Sequence, residues 1–276
     1  MRWIIMGIIK ELQDYRYLNW SKTRHSSGTV GTLLKAEENG PDGKIYYKLS
    51  RFDSQNGIIG HEAINELIVD RLLTALDIQH LSYDLIHAKI VVNNQEFETY
   101  INRSFDYKIK GEKKTAFESF YLVNKYASET PFEFADRFGW KDYIYQMFIV
   151  DYLILNRDRH GANIEVLKDI NGNVRLAPLF DHGLSLVFDA TNPSILTKND
   201  FLQDKKVMDF VGKGSTLENL ASVPKNFLFP LPANKKTIIS ELFEGLEDIL
   251  PEVYIEKISE MVSERWAFYE VFRNKK

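Results

Sequence analysis

The sequence predicts an α+β fold in two lobes, a sheet-rich N-lobe over residues 1–103 and a helical C-lobe over residues 104–276. Three observations carry this. Short strand-forming runs punctuated by turn signals fill the region before residue 103, around one long helical stretch. After residue 104, apolar residues recur mainly at helical spacing. The length, 276 residues, suits one large domain or two small lobes at about 100–200 residues per domain, and needs no disulfide or metal staple to bury a core.

Composition narrows the function classes. Hydrophobic residues make up 44% and charged residues 27% of the chain, as in ordinary globular proteins. The 35 basic and 39 acidic residues leave a net charge of −4, which argues against a general nucleic-acid binder. There is no cysteine, so disulfides, thiolate zinc sites and a cysteine nucleophile are excluded. The apolar run Trp3 to Ile9 is broken by Lys10 and Glu11 and is too short to span a membrane. It reads as a strand or helix start packed on the body. With no spanning segment in view, the expected location is the cytoplasm.

Taken in order, residues 26–49 read as strand, turn, strand. Ser26-Ser-Gly-Thr-Val-Gly-Thr32 makes a glycine-containing bend, Glu38 to Gly43 is a dense turn signal, and Ile45-Tyr-Tyr-Lys-Leu49 resumes the ladder. Residues 61–76 are helical, with Ile64, Leu67, Ile68, Leu72, Ala75 and Leu76 on one stripe and Glu62, Glu66 and Asp70 in a line of four-residue steps. Strands follow at 84–92 and 95–102 around Asn93-Asn94. Helices are expected at 115–126, 141–155, 236–248 and 251–272. The second of these is apolar nearly all round, although it carries Gln146 and Asp151, and so is buried. Pro251 opens the last. Residues 163–167 and 174–177 form a hairpin about Asn171-Gly172, and 190–234 read as irregular.

The chemistry concentrates in Asn156-Arg-Asp-Arg-His-Gly-Ala-Asn163 and Leu176-Ala-Pro-Leu-Phe-Asp-His-Gly183. Asp158 and Asn163 lie five apart on a polar loop after a buried helix, and the hairpin returns Asp181 to the same volume. Asn163 and Asp181 are oxygen donors of the kind that suit Mg²⁺, which takes its other ligands from phosphates and water. Asp158 is then left to accept or orient the proton of an attacking hydroxyl. In the first half, Gly28, Thr29 and Gly31 let backbone N–H groups approach phosphate oxygens. Lys48 sits alone on one sheet face between Tyr47 and Leu49, where it can reach phosphates. Glu66 is the expected ion-pair partner, with Glu62, one helical turn earlier, as competitor. Arg157 and Arg159 read as solvated charges.

This order of parts resembles the HipA-type branch of the protein-kinase-like fold, related to the phosphatidylinositol 3/4-kinases. The discriminating feature is His160 two residues after Asp158, giving Asp158-Arg-His160-Gly-Ala-Asn163 in a D-x-H-x-x-N order. Leu176-Ala-Pro-Leu-Phe-Asp181 resembles that branch's metal segment, and Asn65-Glu66 on an apolar helix fits its N-lobe helix. The resemblance covers about residues 26–273. It departs from the family in the glycine bend and in His182-Gly183 after the metal aspartate.

The resemblance implies an ATP- and Mg²⁺-dependent kinase acting on Ser or Thr of a protein, with ATP between the lobes. Adenine would bind at a hinge near Tyr100 and Ile101. His160 either contacts the γ-phosphate or packs against the metal segment. Ser26, Ser27 and Thr29 read first as turn residues, with autophosphorylation in the glycine loop as the functional alternative that the resemblance implies. Two alternatives stay open: a phosphoinositide or small-molecule acceptor, and a nucleotide-binding pseudokinase scaffold. An antitoxin partner is not carried over.

Overall fold

The computed structural model describes residues 7–23, 30–41, 43–190, 193–196, 200 and 202–276. The chain divides into two compact units, Met1–Tyr107 and Lys108–Lys276. Among the described residues, no helix is long and apolar enough to cross a membrane.

In chain order the first unit holds β1 (Ile8–Asp14), β2 (Ser21–Thr23), β3 (Val30–Gly40), β4 (Gly43–Leu49), β5 (Phe52–Asp53), β6 (Gly57–Ile58), α1 (Glu62–Ala75), β7 (Asp84–Val92) and β8 (Gln95–Phe105). Six strands form one sheet in the order β1-β7-β8-β4-β3-β2. The hairpin β7–β8 turns through Asn93 and Asn94, both at positive φ (50° and 63°), the backbone that a two-residue hairpin matching the strand twist requires. Alternation along β4 and β7 then sends Tyr47, Leu49, Ile86, Ala88, Ile90 and Val92 into one core with Leu18, Ala36 and Ile101. The opposite face receives α1. Asn102 of β8 donates its Nδ2 to the Ala63 carbonyl of that helix at 2.8 Å.

The N-terminal apolar run continues as the edge strand β1, parallel to β7 from Ile8↔Leu85 onward. Asp84 fixes this corner. It accepts from the Gly7 N–H at 3.0 Å and from Arg103 Nε and Nη2 at 2.9 and 2.6 Å.

The second unit comprises β9 (Lys113–Ala116), α2 (Phe117–Asn124), α3 (Pro131–Arg137), α4 (Lys141–Leu153), β10 (Asp158–Arg159), β11 (Glu165–Lys168), β12 (Val174–Leu176), α5 (Pro193–Leu196), β13 (Met208–Asp209), α6 (Thr216–Ser222), α7 (Lys235–Glu241) and α8 (Glu252–Lys275). A short 3₁₀ turn, Gly161–Asn163, lies between β10 and β11, and another spans Lys225–Phe227. β9, β11 and β12 form a three-stranded antiparallel sheet.

Several boundaries differ from the sequence expectation. The helix expected at 115–126 starts only at Phe117, because Thr115 and Ala116 pair with Val166 and Glu165 in the sheet. The helix expected at 236–248 ends at Glu241, ahead of Gly245 at φ 76°. Within the region read as irregular, α6 is a helix capped by Ser215, whose side chain accepts from the Glu218 N–H. Pro251 is the residue before α8 and not its first turn.

Candidate active site

Lys48 and Glu66 meet because the end of β4 is tied to the start of α1. The strand runs into Ser50, whose Oγ accepts the Ala63 N–H at 2.9 Å and so satisfies a helix-terminal donor. The next residue, Arg51, donates its N–H to Glu62 Oε2 at 3.0 Å, and its guanidinium lies 3.4 Å from Glu62 Oε1. One helical turn on, Glu66 Oε1 accepts from Lys48 Nζ at 2.6 Å. At the far end, Asp70 Oδ1 lies 3.0 Å from His80 Nε2. The acidic line of α1 is thus buried, each carboxylate meeting its own basic partner. Glu62, the competitor for Lys48, is engaged by Arg51. Lys48 stands directly opposite Asn102 across the β4–β8 ladder, on the α1 face of the sheet.

In the second unit, α4 delivers the chain to a loop whose backbone is locked to the segment after Asp181. Leu155 turns at φ 51°. The Leu186 N–H donates to the Ile154 carbonyl at 2.7 Å and the Arg157 N–H to the Leu184 carbonyl at 3.3 Å. On the other side β10 pairs in parallel with β13, Asp158 against Met208 and Arg159 against Asp209. Asp158 is partly exposed, and its N–H donates to Asn156 Oδ1 at 3.2 Å. Asn163 donates Nδ2 to the Asp158 carbonyl at 2.8 Å, so the amide is oriented by its nitrogen. Asp181 sits at φ 61°, a left-handed conformation that a residue with a Cβ adopts at a cost. His160 Nδ1 accepts the Ala162 N–H at 3.1 Å. That bond leaves the ring proton on Nε2, 3.7 Å from Asp158 Oδ2.

Arg159 is the residue whose place the sequence misjudged. It is 1% exposed, and its guanidinium faces Asp151 of α4 bidentately, Nε to Oδ2 at 2.9 Å and Nη2 to Oδ1 at 2.7 Å. Burial opposes its charge, but the Asp151 carboxylate outweighs burial and holds the guanidinium above its ordinary value. Asn156 donates Nδ2 to the same carboxylate at 2.9 Å. Nearby, burial pushes the Asp209 carboxyl up to about 6. Arg157 follows the expectation more closely, half-exposed and paired with Asp189 at 2.6 Å.

Other expected site residues fare differently. Gly28 and Thr29, with Ser26 and Ser27, lie outside the described residues, and Gly31 lies on β3. Tyr100 and Ile101, expected at the hinge, lie within β8. β8 continues to Phe105 and the chain divides after Tyr107. Ile101 is a fully buried core residue between Leu49 and Ile86, and Tyr100 stacks on His87 with ring centroids 4.9 Å apart.

Among the described residues, no cluster of three or more His, Asp or Glu side chains forms a metal site. The donor set at hand is one carboxylate, Asp181, and one amide oxygen, that of Asn163. This fits Mg²⁺, which binds through one or two protein oxygens and fills its octahedron with phosphate and water.

The sequence matches no protein-family model and no curated protein. The fold is protein-kinase-like. A Helicobacter pylori proinflammatory kinase, CtkA, superposes with a TM-score of 0.66 over 95% of this chain and 96% of its own, at 14% identity. A HipA from Shewanella oneidensis, solved as a toxin–antitoxin complex with HipB and operator DNA, aligns with 90% of this chain and 66% of its own, at a TM-score of 0.47 and 15% identity.

Proposed function

We propose that the chain is an ATP- and Mg²⁺-dependent kinase that phosphorylates Ser or Thr hydroxyls of a protein, in the manner of HipA. The observation that carries this reading is the interlocked loop pair, in which Asp158 and Asn163 share a hydrogen bond and the backbone before them is bonded to the segment that follows Asp181. Such locking holds reacting groups in one geometry, which is where most of the catalysis of phosphoryl transfer arises.

In this reading Lys48 holds the nucleotide phosphates and Glu66 keeps its ammonium in place. Asn163 and Asp181 hold Mg²⁺, which supplies charge neutralisation on the phosphate oxygens. Asp158 orients the acceptor hydroxyl and receives its proton. The hydroxyl oxygen bonds to the γ-phosphorus as the bond to the β–γ bridging oxygen breaks, and ADP departs with that electron pair. The Nε2–H of His160, beside Asp158, steadies the carboxylate.

The test is Asp158→Asn. Calorimetric titration with a non-hydrolysable ATP analogue and Mg²⁺ should give near-parental affinity, since Lys48, Asn163 and Asp181 remain. Labelled-phosphate transfer to protein in a cell lysate should fall by about 10²–10⁴-fold, as for a lost acid–base group. Transfer by the parent to phosphoinositide vesicles but not to protein would replace the acceptor class. Binding without transfer in both proteins would make the chain a scaffold.

A further inference from the structure

We propose that Arg159 is a positioning residue that sets Asn163 and Asp181 at a common distance and thereby fixes the divalent-cation affinity of the site, an inference that rests on the kinase reading above. The geometry points to it. After both its Nε and Nη2 are taken by Asp151, the remaining arm of the guanidinium, Nη1, donates to two carbonyls at once, that of Asn163 at 3.1 Å and that of Phe180 at 3.0 Å. The first belongs to one proposed ligand. The second belongs to the peptide immediately preceding the other, so its orientation is coupled to the φ of 61° at Asp181. Eighteen residues apart in sequence, the two ligands share one rigid reference.

Only arginine fits this task. Its planar fork directs donors along fixed vectors, so one edge can grip Asp151 while the other reaches two carbonyls. A lysine ammonium at the same depth has no such fork. Stability is a weak reason for such a group, because a buried ion pair is often replaceable by apolar residues of similar volume without loss. The bridging of two loops that each carry a ligand is what an apolar pair does not reproduce.

The experiment compares the full-length parent with Arg159→Lys and with the double variant Asp151→Leu/Arg159→Met. The first keeps a charge opposite Asp151, and the second leaves no unpaired charge buried, so folding is retained; circular-dichroism melting checks this. Mn²⁺ binding is read by electron paramagnetic resonance in the presence of a non-hydrolysable ATP analogue, alongside binding of the analogue without metal.

Loss of an outer partner typically weakens metal affinity by about 10–100-fold. The variants should show a drop of that size in Mn²⁺ affinity, with metal-free nucleotide affinity unchanged and a matching rise in the Mg²⁺ concentration for half-maximal transfer. Folded variants with parental Mn²⁺ affinity would overturn the assignment while leaving the kinase reading intact. A parent that binds no Mn²⁺ with the analogue would overturn both.

Discussion

Lys48 shows how much a single side chain depends on its neighbours' occupations. Three carboxylates line α1, and Lys48 pairs with the middle one because Glu62 is already held by the Arg51 N–H at 3.0 Å and Asp70 by His80. Gly60 makes that arrangement possible, since a Cβ there would lie 1.9 Å from Glu62 Oε2. Roles for the two glutamates follow. Lys48→Met should abolish most phosphate transfer, because the nucleotide loses a charged anchor. Glu66→Gln should cost less, removing the orientation of Lys48 but not its charge. Glu62→Gln should leave transfer near parental and instead lower the melting temperature, since it weakens the junction of β4 with α1. Transfer assays and thermal melts on the three variants decide this, and a silent Glu66→Gln beside an inactive Glu62→Gln would move the pairing one helical turn.

At the scale of elements, the turn that carries Asn163 depends on close approach by α2. A Cβ on Gly161 would lie 2.5 Å from Glu118 Cβ, 3.1 Å from Phe210 Cγ and 3.3 Å from Glu118 Cα. None of these atoms is the free end of a flexible chain, so Gly161→Ala must shift either α2 or the turn that carries Asn163. Overpacking of this kind costs about 1–3 kcal/mol. Urea unfolding should show a lower midpoint with an unchanged slope, and transfer should fall with it. A variant of parental stability would mean that α2 does not brace the turn.

The sequence was informative where local patterning decides the element. The amphipathic stripe of α1, the Asn93-Asn94 turn and the continuous apolar run of α4 each named their element within a few residues. A local signal also marks the start of α3. There Thr130-Pro-Phe-Glu133 forms a capping box, Thr130 Oγ1 accepting the Glu133 N–H at 3.3 Å and Glu133 Oε2 accepting the Thr130 N–H at 2.8 Å. By contrast β9 takes its strand state from pairing with β11, which no local pattern encodes. The end of β8, expected at residue 102 and found at Phe105, is set in a related way: where a strand ends depends on its partners, and β8 is flanked on both sides. The brace by Arg159 was illegible because two of its partners are backbone carbonyls, which any residue supplies.

For the whole molecule, the two units carry different halves of the proposed chemistry. Lys48 and Glu66 belong to Met1–Tyr107, and Asp158, Asn163 and Asp181 to Lys108–Lys276. The kinase reading therefore requires one nucleotide to draw on both. A ligand that binds only the folded state stabilises by about 2.7 kcal/mol at a hundred times its dissociation constant, which for a chain of this size raises the melting temperature by about 5 °C. Saturation with Mg²⁺ and a non-hydrolysable ATP analogue should produce a rise of that order. Amide hydrogen exchange should slow in α1 and in residues 154–163 together, at the same analogue concentration. Lys48→Met alters only the first unit and Asp181→Ala only the second. Yet each should weaken the protection in both units, because a shared ligand distributes its binding energy over every group that holds it. If Lys48→Met leaves protection of residues 154–163 unchanged, the nucleotide is held by the second unit alone, and Lys48 with Glu66 is a structural pair of the sheet and its helix.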